Sequence, residues 1–232
     1  MNDDVASPGA PYRLPMFPLS TVLFPSGRLQ LHIFEARYRK MTADCLSGNG
    51  ELGVVLITRG REVGGGDERV VVGTVGQIDG AMRLPDGRWL LSIGGLRRLR
   101  VVEWLPEEPY PLAMVEDIDG RDRRVSTGPD KEPEDPEEPA LRLEAALSAV
   151  RQARALLSES VPGAPFPAEF ETGVHAAIDL DMAGWLLCDA APLGDLDRLR
   201  LLETRGLGER LELVQSLSDE IADDLGRMLA GG

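Results

Sequence analysis

Lysine is almost missing from this chain. Lys40 and Lys131 are the only two among 25 basic residues, and the rest are arginine. Any lysine-dependent chemistry must use one of those two. Lys131 lies in the acidic run DKEPEDPEEP and Lys40 follows IFEARYR on a predicted helix. Neither sits in GxxxxGK(S/T), which excludes a P-loop nucleotide site. Cysteine and histidine are equally scarce, at two residues each. Cys45, Cys188, His32 and His175 show no CxxC or HxxxH spacing, so no zinc site is recognisable and neither metal nor cofactor is expected. GxSxG is absent as well. No apolar run reaches the roughly 18 residues of a membrane helix. The opening MNDDVASPGA has neither the basic nor the apolar region of a signal peptide. Two distant cysteines rather than a disulfide framework point to a reducing, cytoplasmic setting with no membrane contact.

Acid is in excess: 39 acidic residues against 25 basic ones give a net charge of −14. Binding to a phosphate backbone needs Lys and Arg to displace counterions, so nucleic acid is not the expected partner. A chain of 232 residues can bury roughly 70% of its unfolded surface, enough for one large domain or two small ones. Charge and punctuation divide it into three parts. The first, to Asp117, is nearly balanced at a net of −2. Residues 119–139 carry a net of −4 and four prolines with almost no apolar side chains. Such a segment cannot offset its ordering entropy by burial, and it is expected to be an acidic, Pro-rich flexible loop. Residues 140–232 carry a net of −8.

The first part, 11–118, reads as β-rich. Leu52–Thr58, Val70–Ile78, Trp89–Ile93 and Leu99–Trp104 are dense in strand-forming residues. Pro85-Asp86-Gly87 has the proline and glycine of a tight turn, and Gly64-Gly65-Gly66 makes a looser connection. Short strands at about ten-residue spacing suggest a small barrel. One helix is expected over about 35–46, where Phe34, Tyr38, Met41 and Cys45 recur at helical spacing before Gly48. The last part, 140–229, reads as helical: Leu141–Leu157, a helix from Glu169, a short one capped by Asp181 and running through Cys188, and Asp195–Thr204 with Gly206 at its C′ position. Leu207, Leu211, Val214, Leu217, Ile221, Leu225 and Met228 form one stripe of a long closing helix over 207–229. The class is α+β: a β-barrel followed by an α-helical bundle.

A hydrolase would need His32 or His175 as base. His32, in LQLHIFE, reads as a satisfied, half-buried histidine, and Cys45 as a buried residue on the apolar face of its helix. Gly94-Gly95 precedes a strand rather than opening a helix, so it is a tight turn or bulge and not a dinucleotide fingerprint. Arg98 is expected to face opposite to Arg97 and Arg100 and to serve as a structural ion-pair partner.

LPMFPLSTVLFPSGRLQLHIFEARYRKMTADCL closely resembles the opening of the N-terminal, substrate-binding domain of Lon proteases. VVGTVGQI, LPDGRWLLSIGGLRRLRVV and PYPLAMVE resemble its later strands, and LRLLETRGLGERLELVQSLSDEI its closing helices. The resemblance implies a PUA-like β-barrel with a helical subdomain, standing alone without the ATPase and peptidase domains and carrying no catalytic residues. It implies a non-catalytic module binding unfolded or tagged polypeptides, with a separate protease or chaperone as a further partner. His32, Phe34, Glu35, Arg37, Tyr38, Gly73, Gly95 and Arg98 would be its structural motif. Candidates for peptide contact are Met16, Phe24, Met82 and Phe166. The alternatives are an RNA-binding PUA-like protein using the Arg97, Arg98 and Arg100 strand, and an ATP-independent peptidase. Homodimerisation through the last helix is a further option.

Overall fold

Alternating side chains along the first segment, LPMFPL, feed two different cores, and this organises the N-terminal half. The computed structural model describes residues 10–59, 68–118, 138–161 and 169–230. The chain separates into two compact units, Met1–Pro129 and Asp130–Gly232. The first contains β1 (Tyr12–Leu19), β2 (Arg28–Ile33), α1 (Ala36–Ser47), β3 (Glu51–Arg59), β4 (Glu68–Arg83), β5 (Trp89–Leu105) and β6 (Leu112–Asp117). The sheet order is β2-β5-β4-β3-β1-β6, and β5 also pairs with β6. That second pairing closes β5, β4, β3, β1 and β6 into a ring, leaving β2 outside it. Closure removes the exposed edges of every strand in the ring.

One core draws on every ring strand: Leu14, Met16, Val55, Val75, Leu99, Val101, Ala113 and Val115. The other takes Phe17, Leu19, Leu52 and Val54 at the opposite parity, Leu91 and Ile93 from before the register shift in β5, and Tyr38, Met41 and Cys45 of α1. Neighbours in a strand face opposite ways, so the first set fills the ring and the second holds α1 against its outer face. Met16 is 0% exposed, and a Cβ on Gly53 would stand 2.5 Å from its sulfur.

Trp89–Ile93 and Leu99–Trp104 are two halves of a single 17-residue strand, not two strands. Gly94 and Gly95 do not turn the chain. They pair with Gln77 and Gly76 beside a register shift, and the glycine at 95 is there for close approach. A Cβ on it would stand 2.0 Å from the carbonyl oxygen of Phe24. The 20–27 connection is held there by Ser26 N–H to the Gly95 carbonyl (2.8 Å), Gly95 N–H to the Gly27 carbonyl (2.9 Å), and the Thr74 hydroxyl to the Leu23 carbonyl (2.5 Å). Pro85-Asp86-Gly87 forms the expected turn, with Gly87 at φ +84°. Gly64–Gly66 lie outside the described residues.

The second unit contains α2 (Glu138–Ser160), α3 (Glu169–His175), α4 (Leu180–Ala190), α5 (Asp195–Leu202) and α6 (Leu207–Ala230). Nearly all of the acidic segment lies outside the described residues, but Glu138 and Pro139 already belong to α2. Proline fits the first turn, where its missing donor would have no partner. Leu143, Ala146, Leu147, Val150 and Ala153 of α2 and Leu211, Val214, Leu217 and Ala222 of α6 are buried. The stripe of α6 ends before Met228, which is 71% exposed. Asp179, not Asp181, caps α4 by accepting from Met182 N–H at 2.8 Å. Asp181 instead takes a 2.6 Å bond from Arg210, whose guanidinium stacks 3.5 Å from the Trp185 ring centre. Gly206 does not end α5. Its carbonyl accepts the first bond of α6, from Arg210 N–H.

Gly95→Ala is expected to destabilise the first unit by about 2 kcal/mol or more, because a backbone carbonyl must move. Gly226→Ala, with nothing within 4 Å of its Cβ, should stabilise α6 by up to about 1 kcal/mol. Urea unfolding of both variants checks the contrast, and equal stabilities would contradict the Gly95 contact.

Candidate functional site

The register of three strands assembles an exposed apolar row. His32 of β2 lies opposite Leu90 of β5, and Leu90 lies opposite Met82 of β4. Directly paired residues share a face of the sheet. Met82 is 56% exposed, Leu90 39% and Phe34 55%, with His32 exposed between them. The Phe34 ring meets His32 edge-on at 6.3 Å. Adjoining this row is a cavity of about 190 Å³ lined by Phe17, Leu19, Tyr38 and every residue from Gln30 to Glu35.

The turn after β2 is held by charge and stacking. Glu35 occupies the N-cap position of α1 without a side-chain cap bond. It accepts instead from Arg37 Nε at 3.1 Å, and the Arg37 guanidinium lies 4.5 Å from the Tyr38 ring centre. Tyr38 in turn packs on Phe17, with centroids 4.4 Å apart. Arg37 also approaches Glu107, which pairs with Arg69 at 2.6 Å. These contacts fix the aromatic wall of the cavity.

Of the expected peptide contacts, the structure leaves Met82 at the surface. Met16 and Phe24 are each 0% exposed, so neither can line a groove: Met16 plugs the ring, and the Phe24 backbone is pressed onto Gly95. Phe166 lies outside the described residues. His32 is exposed rather than half-buried, because its partner Leu90 turns it to the outer face. Phe34 precedes α1 and points to the surface instead of joining that helix's apolar face. Gly73 faces Val55, and a Cβ there would stand 2.3 Å from the Val54 carbonyl oxygen. Leu90 escaped the sequence reading. Its signal was the run Trp89-Leu90-Leu91, since three consecutive apolar residues in a strand must leave one on the outer face.

The arginine strand is already engaged. Arg97 donates to Asp117 (2.9 Å), to both oxygens of Glu51 (2.9 and 3.2 Å) and to the Tyr12 hydroxyl (3.1 Å). Tyr12 donates to Asp117 at 2.7 Å, and burial followed by that bond pushes its phenol above the ordinary range. Arg98 is buried, while Arg100 is exposed and lies 3.9 Å from Glu116. A two-residue period groups Arg98 with Arg100 rather than opposite it. Their different burial reflects local surroundings, not alternation. Among the described residues, no group of three His, Cys, Asp or Glu is placed to hold a metal, and no helix is long and apolar enough to cross a membrane.

A closed ring of strands bearing α1, together with a unit built of helices, makes this an α+β protein. It belongs to the ATP-dependent protease La (LON) substrate-binding domain family, whose model matches residues 13–219. It is 36% identical over 110 residues to Lon protease of Dictyoglomus thermophilum, covering 47% of this chain and 14% of that protein. It is 29% identical over 229 residues to Lon protease 2 of Herpetosiphon aurantiacus, covering 94% of this chain and 25% of that one. The chain thus spans at most a quarter of these curated relatives. The fold is shared with a Lon N-terminal domain protein from Xanthomonas campestris (TM-score 0.57, 24% identity, 88% of this chain and 98% of that chain). It is shared also with the N-terminal domain of Mycobacterium avium complex Lon protease (TM-score 0.59, 16% identity, 89% and 98%).

Both cysteines are free and buried. Burial pushes the Cys45 thiol up to about 11 and the Cys188 thiol up to about 12, from an ordinary 9.0. Folding therefore favours the protonated thiols. That contribution is complete below pH 9.0 and is lost as pH rises toward 11 and 12. At about pH 8 a disulfide-exchange reagent should label neither thiol except as fast as the protein unfolds. Rapid labelling of Cys45 in the folded protein would contradict this and restore it as a nucleophile.

Proposed function

We propose that this protein is a non-catalytic polypeptide-binding module that captures unfolded or tagged segments on the Met82–Leu90–His32–Phe34 row and the cavity beside it. The observation that carries the reading is the exposure of three large apolar side chains, Met82 and Leu90 on adjoining strands and Phe34 just after β2, next to an aromatic-lined cavity, in a member of a substrate-binding family. Water-exposed apolar area of this kind is offset when a partner covers it. Met82 supplies an unbranched, adaptable side chain suited to varied clients. A folded protein hides its own apolar side chains, so the row discriminates unfolded chains from native ones. Handing clients to a separate protease or chaperone fits the same reading. Cys45 is buried, and that burial keeps its thiol protonated, whereas a cysteine nucleophile acts as the thiolate.

Titration with unfolded and native forms of one client, followed by fluorescence anisotropy, tests the proposal. The unfolded form should bind and the native form should not. Met82→Asp with Leu90→Asp should weaken binding by about tenfold or more, since each burial is worth about 1.5–3 kcal/mol. Equal, negligible binding of both forms would overturn it.

A further inference from the structure

We infer that His32 sets the specificity of the row: as the neutral imidazole it admits uncharged apolar segments, and as the imidazolium it selects segments that bring a carboxylate to it. This rests on the polypeptide-binding reading and adds which clients the row holds at which pH. The outer face of β2 isolates this one side chain. By the two-residue period of a strand, Arg28, Gln30 and His32 point the same way. Arg28 donates to Asp79 at 2.8 Å and Gln30 to Ser92 at 3.1 Å. Among the described residues, His32 has neither a hydrogen bond nor an ion pair. It is exposed opposite Leu90, with the Phe34 ring edge-on at 6.3 Å. Its neighbours are thus apolar, and its two ring nitrogens are left for whatever covers the row.

The charges on the elements around β2 are committed elsewhere. Ile33, Trp89 and Arg83 are paired across the sheet and share the opposite face, where Arg83 lies over the Trp89 ring at 5.9 Å. Arg88, ahead of β5, is held by Asp86 at 2.6 Å. Glu35 lines the same cavity as His32 and accepts from Arg37 at 3.1 Å. Asp79 is taken by Arg28. None of these carboxylates forms an ion pair with His32.

Imidazole is the side-chain group whose charge ordinarily changes between about pH 8 and pH 5. An uncharged segment laid over Met82, Leu90 and Phe34 takes His32 out of water, and a charge covered there has no carboxylate to offset it. Binding such a segment is therefore linked to loss of the imidazole proton and weakens as pH falls. A segment with Asp or Glu at this place reverses the sign, because its carboxylate accepts a charge-assisted hydrogen bond from the imidazolium.

Two labelled, end-capped ten-residue peptides of alternating leucine and threonine serve as probes, identical but for a central glutamine in one and glutamate in the other. Affinities are read by fluorescence anisotropy at about pH 8 and about pH 5.5. The glutamine probe should bind about tenfold more weakly at the lower pH. The glutamate probe should hold its affinity or gain up to about threefold. His32→Gln, confirmed as folded by its melting curve at both pH values, should give both probes the same pH ratio, whatever its absolute affinity. A glutamine probe with equal affinity at the two pH values would overturn the inference, as would a His32→Gln variant that keeps the wild-type ratios. If the unfolded client binds at the higher pH and neither probe does, the inference fails alone. If neither the client nor the probes bind, both readings fail.

Discussion

The carbonyl of Phe24 passes so close to β5 that residue 95 can carry no side chain, and much of the molecule follows from that contact. With the 20–27 connection pinned to Gly95 and Thr74, the chain must return antiparallel along β5 as β2. That return sets Arg28 opposite Gly94 and His32 opposite Leu90. The same strand sets Leu90 opposite Met82. The position of the candidate site is therefore a consequence of backbone packing some distance away. β5 serves both purposes, with its first half carrying β2 and the site and its second half closing the ring through β6.

Polar interactions reinforce this framework. Arg97 ties β5 to β3, β6 and β1 through Glu51, Asp117 and Tyr12. A part-buried charge with all its partners in place is costly to disturb, and it is not available to a phosphate. In the helical unit Arg210 does similar work against Trp185 and Asp181.

The sequence was legible where structure is decided locally. The Pro85–Gly87 turn, α1, the β-branched strands and the long α6 follow from residue chemistry and periodicity. It was less legible where distant segments decide. Gly94-Gly95 has the composition of a turn, and only the approach of Phe24 makes it part of a strand. Met16 and Phe24 look eligible for a surface beside prolines, yet the two-residue period of β1 turns Met16 into the ring and the connection pinned to Gly95 buries Phe24. Asp179 and Asp181 are equivalent as local caps until Arg210 claims the second. Met82 stood out because polar neighbours surround it, whereas Leu90 was hidden among apolar ones.

The central claim is that unfolded chains are held at the Met82 row. Methyl-labelled methionine NMR during titration with an unfolded client tests it most directly. The Met82 methyl signal should shift while those of the buried Met16 and Met41 stay fixed. A client that binds and leaves Met82 unmoved would contradict the account.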